Sequence, residues 1–183
     1  MRNILFALSF LAATLIIFSC TNSANSSGRR GNSTSEKIKQ KDDGTIDLHI
    51  EKASCFDDNT NPSGNTAEWT FIVSKPGRYK VWLSSATIDT MDLQYRNKVK
   101  ISFQDEWLDV KPLRDKIVLN ASDVKYPYYR ADSYMGTFYI QEPGEYSIQV
   151  ISDKVIAQSD NNHRASEPDH TKLISLFLTP STN

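Results

Sequence analysis

The chain has 183 residues, of which 39% are hydrophobic and 23% charged, with a formal net charge of −1. That composition suits a globular protein, and so even a charge balance excludes the strongly basic character that nucleic-acid binders carry. It also leaves enough chain for one domain of roughly 130 residues, a common size, with a real core.

Arg2 gives a positive start, Ile4–Phe18 is apolar apart from Ser9 and Thr14, and Ser19-Cys20 follows. This charged, apolar, small-residue order is that of an export signal. The run is shorter than the ~20 residues that cross a bilayer. Ile17-Phe18-Ser19-Cys20 resembles the lipobox of bacterial lipoproteins, with Phe18 of the kind met in Bacteroidetes. The resemblance implies cleavage before Cys20, acylation of Cys20 and a stable anchor, because several acyl chains act together. Cys55 then has no partner for an intramolecular disulfide and is expected to be a buried small hydrophobe.

From Thr21 to Gln40 the chain is rich in Ser, Asn, Thr, Gly and Lys and almost free of apolar residues. Such a stretch buries too little surface to offset ordering entropy, so it reads as a flexible tether. The expected division is a signal over 1–19, a tether over 20–44 and one domain over 45–183. Thr21–Asn25 carries no acidic residue of the sort that marks surface export in Bacteroidetes. The expected location is the cell envelope, on the outer membrane facing the periplasm, with cell-surface exposure as the alternative.

The domain is patterned as β. Ile46, Leu48 and Ile50 alternate with Asp47, His49 and Glu51, and Val99, Ile101 and Phe103 alternate with Lys100, Ser102 and Gln104. Leu173–Leu178 is nearly all apolar, as a strand covered on both faces would be. The clearest signal is a repeat. Thr70–Val81 matches Thr137–Ile148 at a constant offset, each copy being a strand, a Pro-Gly pair and a second strand. Pro-Gly predicts a type II turn. Such turns splay the flanking strands, so each copy is expected to form a corner between two sheets. Two corners suit an all-β jelly-roll sandwich. Parity predicts that Phe71, Val73, Tyr79, Val81 and Leu83 point inward, with Phe138, Ile140, Tyr146, Ile148 and Val150 as counterparts. Trp69 is expected in the core. So is Trp107, whose numbering parity matches Ile101 and Phe103.

Three segments in order, Ile46–Ala53, Glu68–Val81, and Gly136–Tyr146 closed by Lys172–Pro180, are similar to the galactose-binding-like β-sandwiches of bacterial α-L-fucosidases. They also resemble carbohydrate-binding modules of jelly-roll type. The likeness covers about residues 45–180. It implies a sugar site in the loops at one end or on a concave sheet face. It also implies, for some members, a structural calcium near the opening strand, where Glu51, Asp57 and Asp58 are the available carboxylates. Calcium takes six to eight oxygens, so three carboxylates are not a specific signal.

Sugars stack their apolar C–H faces on aromatic rings and bond their hydroxyls to nearby polar groups, so candidate sites pair the two. Trp82 stands on the polar parity of its strand beside Lys80. Tyr126, Tyr128, Tyr129 and Arg130 form an aromatic-rich turn, and His163 and Arg164 lie in a long polar loop. No nucleophile, zinc, phosphate-loop or dinucleotide motif occurs. The expected function is a non-catalytic, lipid-anchored envelope module whose partner is carbohydrate. The alternative is an assembly lipoprotein that binds another envelope protein.

Overall fold

The structure is a computed structural model that describes residues 37–58, 60–155 and 171–181. Among the described residues eleven strands form in chain order: β1 (Ile38–Lys39), β2 (Ile46–His49), β3 (Ser54–Phe56), β4 (Thr66–Val73), β5 (Gly77–Thr87), β6 (Val99–Phe103), β7 (Glu106–Val110), β8 (Lys116–Val118), β9 (Tyr129–Ile140), β10 (Gly144–Ile151) and β11 (Thr171–Pro180). One sheet runs β1-β4-β10-β6-β7, with β3 also on β4, and the other runs β2-β11-β5-β9-β8. Alternation produces this sandwich directly. β4 buries Ala67, Trp69, Phe71 and Val73 and turns the residues between them outward.

Both Pro-Gly pairs are corners between sheets. The first carries β4 of the six-stranded sheet into β5 of the five-stranded one, and the second carries β9 back into β10. The two copies then pair with each other. Gly77 faces Ile140 and Tyr79 faces Phe138 in one sheet, while Gly144 faces Val73 and Tyr146 faces Phe71 in the other. Exchanging the two copies maps one set of pairs onto the other, so they are related by a local two-fold. Each corner is closed in the same way. The Tyr79 hydroxyl donates to the Lys75 carbonyl, and Tyr146 Oη donates to the Glu142 carbonyl at 2.8 Å. The turn type differs from the expected one. Gly77 has φ +149°, away from the roughly +80° of a type II turn, and Gly144 does not adopt a left-handed φ.

The predicted core residues other than Trp107 are buried, with Tyr146 only half-buried. Phe103 links the two copies, its ring lying 6.2 Å from Phe71, 5.2 Å from Phe138 and 5.6 Å from Tyr146. Trp69 is fully buried and donates its indole N–H to the His49 carbonyl at 2.7 Å.

Two expectations need correction. Trp107 is 66% exposed instead of buried. β6 and β7 are joined across Gln104–Asp105, so Phe103 opposes Glu106 and Trp107 opposes Ser102. A two-residue hairpin loop inverts numbering parity between its strands, and Trp107 therefore joins the outward-facing Ser102. The folded unit also begins before residue 45. Ile38 is buried and β1 pairs in parallel with β4 at Phe71 and Ile72. One apolar residue in a polar stretch vanishes from a compositional average but suffices to dock a two-residue strand.

β9 contains a bulge where Val81 pairs with Gly136 and Trp82 with Tyr134, leaving Met135 as the extra residue. Gly136 has φ +135°, and a Cβ placed there would lie 2.8 Å from Leu108 Cδ2 of β7. Gly77 has similar backbone freedom but open space around it. Gly136→Ala is therefore expected to lower stability by about 2 kcal/mol and Gly77→Ala by about 1 kcal/mol, as read from urea denaturation midpoints.

Candidate functional site

The bulge governs the outer face of the five-stranded sheet. On the corner side of it, the outward residues of β9 are Thr137 and Tyr139, paired with Lys80 and Arg78. Beyond it the parity reverses, and Tyr134, Asp132 and Arg130 lie opposite the outward residues Trp82, Ser84 and Ala86. Asp115 Oδ2 accepts the Tyr134 backbone N–H at 2.7 Å and fixes this stretch from outside. β11 has a matching irregularity between Leu173 and Ser175, after which Phe177 faces Trp82. The register continues to Asp47 of β2, opposite Phe177.

A transverse row therefore crosses the sheet: Tyr134, Trp82, Phe177 and then Asp47. The Trp82 ring centroid is 5.3 Å from that of Tyr134 and 6.2 Å from that of Phe177, the latter pair within 7° of parallel. Trp82 and Phe177 are half-buried, and Tyr134 is exposed. The next row holds the polar groups His49, Ser175, Ser84 and Asp132.

Asp132 is buried and accepts from Ser84 Oγ at 2.7 Å and from Arg130 Nε at 2.7 Å. Arg130 Nη2 reaches the other Asp132 oxygen at 3.3 Å, and Nη1 donates to Asp123 at 3.1 Å. The guanidinium also lies 5.4 Å from the Phe177 ring centroid. Burial opposes its charge, but the hydrogen bond and charge of Asp132, with the charges of Asp123 and Asp47, outweigh this and raise its pKa. Arg130 stands opposite Ala86 and Asp132 opposite Ser84, small side chains that leave the guanidinium room. A fork of charge-assisted hydrogen bonds thus backs an aromatic shelf.

Trp82 and Arg130 of the sequence-predicted set come together here, through Phe177. Lys80 is exposed in the adjoining row, opposite Thr137. Tyr126 is 93% exposed at a cis Tyr126–Pro127 bond. Tyr128 is half-buried, with Lys172 Nζ 5.3 Å from its ring centroid, and Tyr129 lies on the parity opposite to Arg130. His163, Arg164 and Cys20 lie outside the described residues.

Glu51, Asp57 and Asp58 do not gather as one set. Among the described residues, no three His, Cys, Asp or Glu side chains form a group suited to a metal ion. Asp58 Oδ1 instead accepts from the Thr60 and Asn61 backbone N–H groups and the Thr60 hydroxyl, closing its own loop. These bonds hold its carboxyl below the usual range. Glu51 is exposed on the single 3₁₀ turn Ile50–Lys52 that follows β2.

Tyr134, Asp132 and Phe177 were not among the residues expected from sequence. Arg130, Asp132 and Tyr134 do recur with the period of two that marks one strand face. The signal for a bulge was the glycine directly before the second repeat, inside a strand. Phe177 was hidden in the continuous apolar run Leu173–Leu178. Leu173, Leu176 and Leu178 are buried, whereas the outer side of Phe177 meets Trp82 and Arg130.

Removing Arg130 leaves the buried Asp132 carboxylate, among the described residues, with the Ser84 hydroxyl. Arg130→Met is expected to destabilise the fold by about 2–4 kcal/mol, part of which Asp132→Asn in the same chain recovers, as read by urea denaturation. Cys55 is buried, and burial, then the charge of Asp57, pushes its thiol up to about 11. At pH 8 it is expected to stay unreactive toward a disulfide reagent until the protein is unfolded, when it reacts at the rate of a free thiol.

No protein-family model matches the chain, and no curated protein matches it by sequence. Among solved structures it is similar to an α-L-fucosidase from Vibrio sp. strain EJY3, at 21% identity and a TM-score of 0.60, over 79% of this chain and 24% of that one. It is also similar to a Podospora anserina GH26-CBM35 β-(1,4)-mannanase, at 10% identity and a TM-score of 0.44, over 77% of this chain and 28% of that one. The chain thus spans about a quarter of the length of either enzyme. The fucosidase likeness shows the fold: an all-β sandwich of two sheets joined by paired corners, the architecture that the sequence resemblance implied.

Proposed function

We propose that this domain is a non-catalytic carbohydrate-binding module that uses the outer face of its five-stranded sheet. The observation that carries this reading is the transverse row of Tyr134, Trp82 and Phe177, backed by Arg130 and Asp132. A pyranose ring has one face of C–H groups and an equator of hydroxyls. Such a ring gains by covering an aromatic surface while its hydroxyls meet charged donors and acceptors beside it. The fold it shares with part of a fucosidase agrees with this reading. Acylation at Cys20 would then hold the module at the envelope, on the periplasmic side of the outer membrane, by way of the segment before residue 37.

A second reading, docking of another envelope protein, rests on Trp107. This exposed ring lies on β7, at the edge of the six-stranded sheet, with Lys100 Nζ 5.6 Å from its centroid. An exposed tryptophan on an edge strand is the sort of feature protein interfaces cover.

The test is a glycan-array screen of the protein with and without calcium, beside Trp82→Ala and Trp107→Ala. The expected outcome is binding that Trp82→Ala weakens about tenfold or more and Trp107→Ala leaves unchanged. Absence of glycan binding, with capture of an envelope protein that Trp107→Ala abolishes, would establish the second reading.

A further inference from the structure

Resting on that reading, we infer that the ligand is an uncharged glycan chain, not a uronate-containing or sulfated one. The groups beside the aromatic row lead to this. A site built for an anionic sugar offers an arginine fork with its N–H groups free, since two parallel N–H bonds match a carboxylate or sulfate. Here the Nε/Nη2 fork and one further N–H, three of the five donors, are already engaged by carboxylates that balance the charge. Nε and Nη2 of Arg130 are held by Asp132 at 2.7 and 3.3 Å, and Nη1 by Asp123 at 3.1 Å. The far end of the row is acidic as well. Asp47 stands opposite Phe177, with Lys41 Nζ 3.0 Å from one carboxylate oxygen and His49 Nε2 3.3 Å from the other.

An anion lying along the row on the Arg130 side would therefore meet three carboxylates against two cations, Arg130 and Lys41, each already paired with them. Hydroxyl groups suit the same surroundings. A hydroxyl both donates and accepts, so it can add to a carboxylate lone pair or share a guanidinium proton without displacing the existing bonds. The other flank carries Lys80 and, one row further, Arg78, both exposed. Exposed cations of this kind attract an anion weakly and lose most of that attraction in salt.

The row also has a direction. It runs across the strands, from the exposed Tyr134 to Asp47, so a chain laid along it contacts three rings in succession. Affinity should then rise with chain length up to the span of the row.

The experiment measures binding of the protein to two panels at pH 7, by affinity electrophoresis and calorimetry. One panel is neutral (β-mannan, β-galactan, β-glucan and their oligosaccharides), and the other is acidic (polygalacturonate, alginate, chondroitin sulfate). The expected result is binding to at least one neutral polysaccharide, at least about tenfold tighter than to any acidic one. That affinity should change less than about twofold between 50 and 500 mM NaCl, because no ion pair forms with the ligand. Lys80→Ala should leave it within about twofold, while Trp82→Ala weakens it about tenfold or more. Equal or tighter binding to an acidic polysaccharide, weakened by salt and by Lys80→Ala, would overturn the inference while leaving a carbohydrate-binding module. Binding to neither panel would overturn both.

Discussion

Between Tyr134 and Gly136, β9 contains one residue more than the stretch of β5 it pairs with, and the alternation of its side chains reverses. On one side of that point Phe138 and Ile140 point into the core. On the other, Tyr134, Asp132 and Arg130 face outward, although their numbers are even like those of the core residues. A regular strand would aim the arginine and its aspartate into the sandwich, where two charged groups without further partners are very costly. The bulge instead places them beside Trp82, where the sheet surface offers Ser84 as a donor and Phe177 as a ring for the guanidinium. Gly136 carries the backbone conformation this needs, and Leu108 of the other sheet closes over the space that a side chain would fill.

The cross-paired corners make that arrangement rigid. Because each Pro-Gly unit moves its chain from one sheet to the other, the two copies of the repeat supply the central pair of the five-stranded sheet, β5 with β9, and a neighbouring pair of the six-stranded sheet, β4 with β10. Phe103 packs among Phe71, Phe138 and Tyr146 from both copies. Trp82 and Tyr134 therefore project from strands that have neighbours on both sides, and a ring pair so mounted has little freedom to lose on meeting a ligand.

Strand alternation, the repeat and its corners were legible because they depend on local periodicity and on residues that punctuate it. Trp69 and the core list follow from counting in twos along an unbroken strand. Counting failed wherever the count was interrupted. Across Gln104–Asp105 it put Trp107 on the wrong face, and at Met135 it concealed Tyr134, Asp132 and Arg130 as neighbours of Trp82. Phe177 was obscured differently: an apolar run shows no alternation, so its outward member cannot be picked out without knowing what lies opposite. Nor does the chain alone reveal that Asp58 is engaged in its own loop, away from Glu51, because that depends on the local turn.

The three tryptophans occupy three distinct places: Trp69 in the core, Trp82 on the outer face of the five-stranded sheet and Trp107 on that of the six-stranded sheet. Their indole N–H resonances, assigned by single substitution, report separately on each. The most direct measurement follows these three signals while a neutral oligosaccharide that binds the protein is titrated in. A saturable shift of the Trp82 signal is expected, with Trp69 and Trp107 essentially unmoved. A shift confined to Trp107, or saturation by the sugar with Trp82 unmoved, would contradict it.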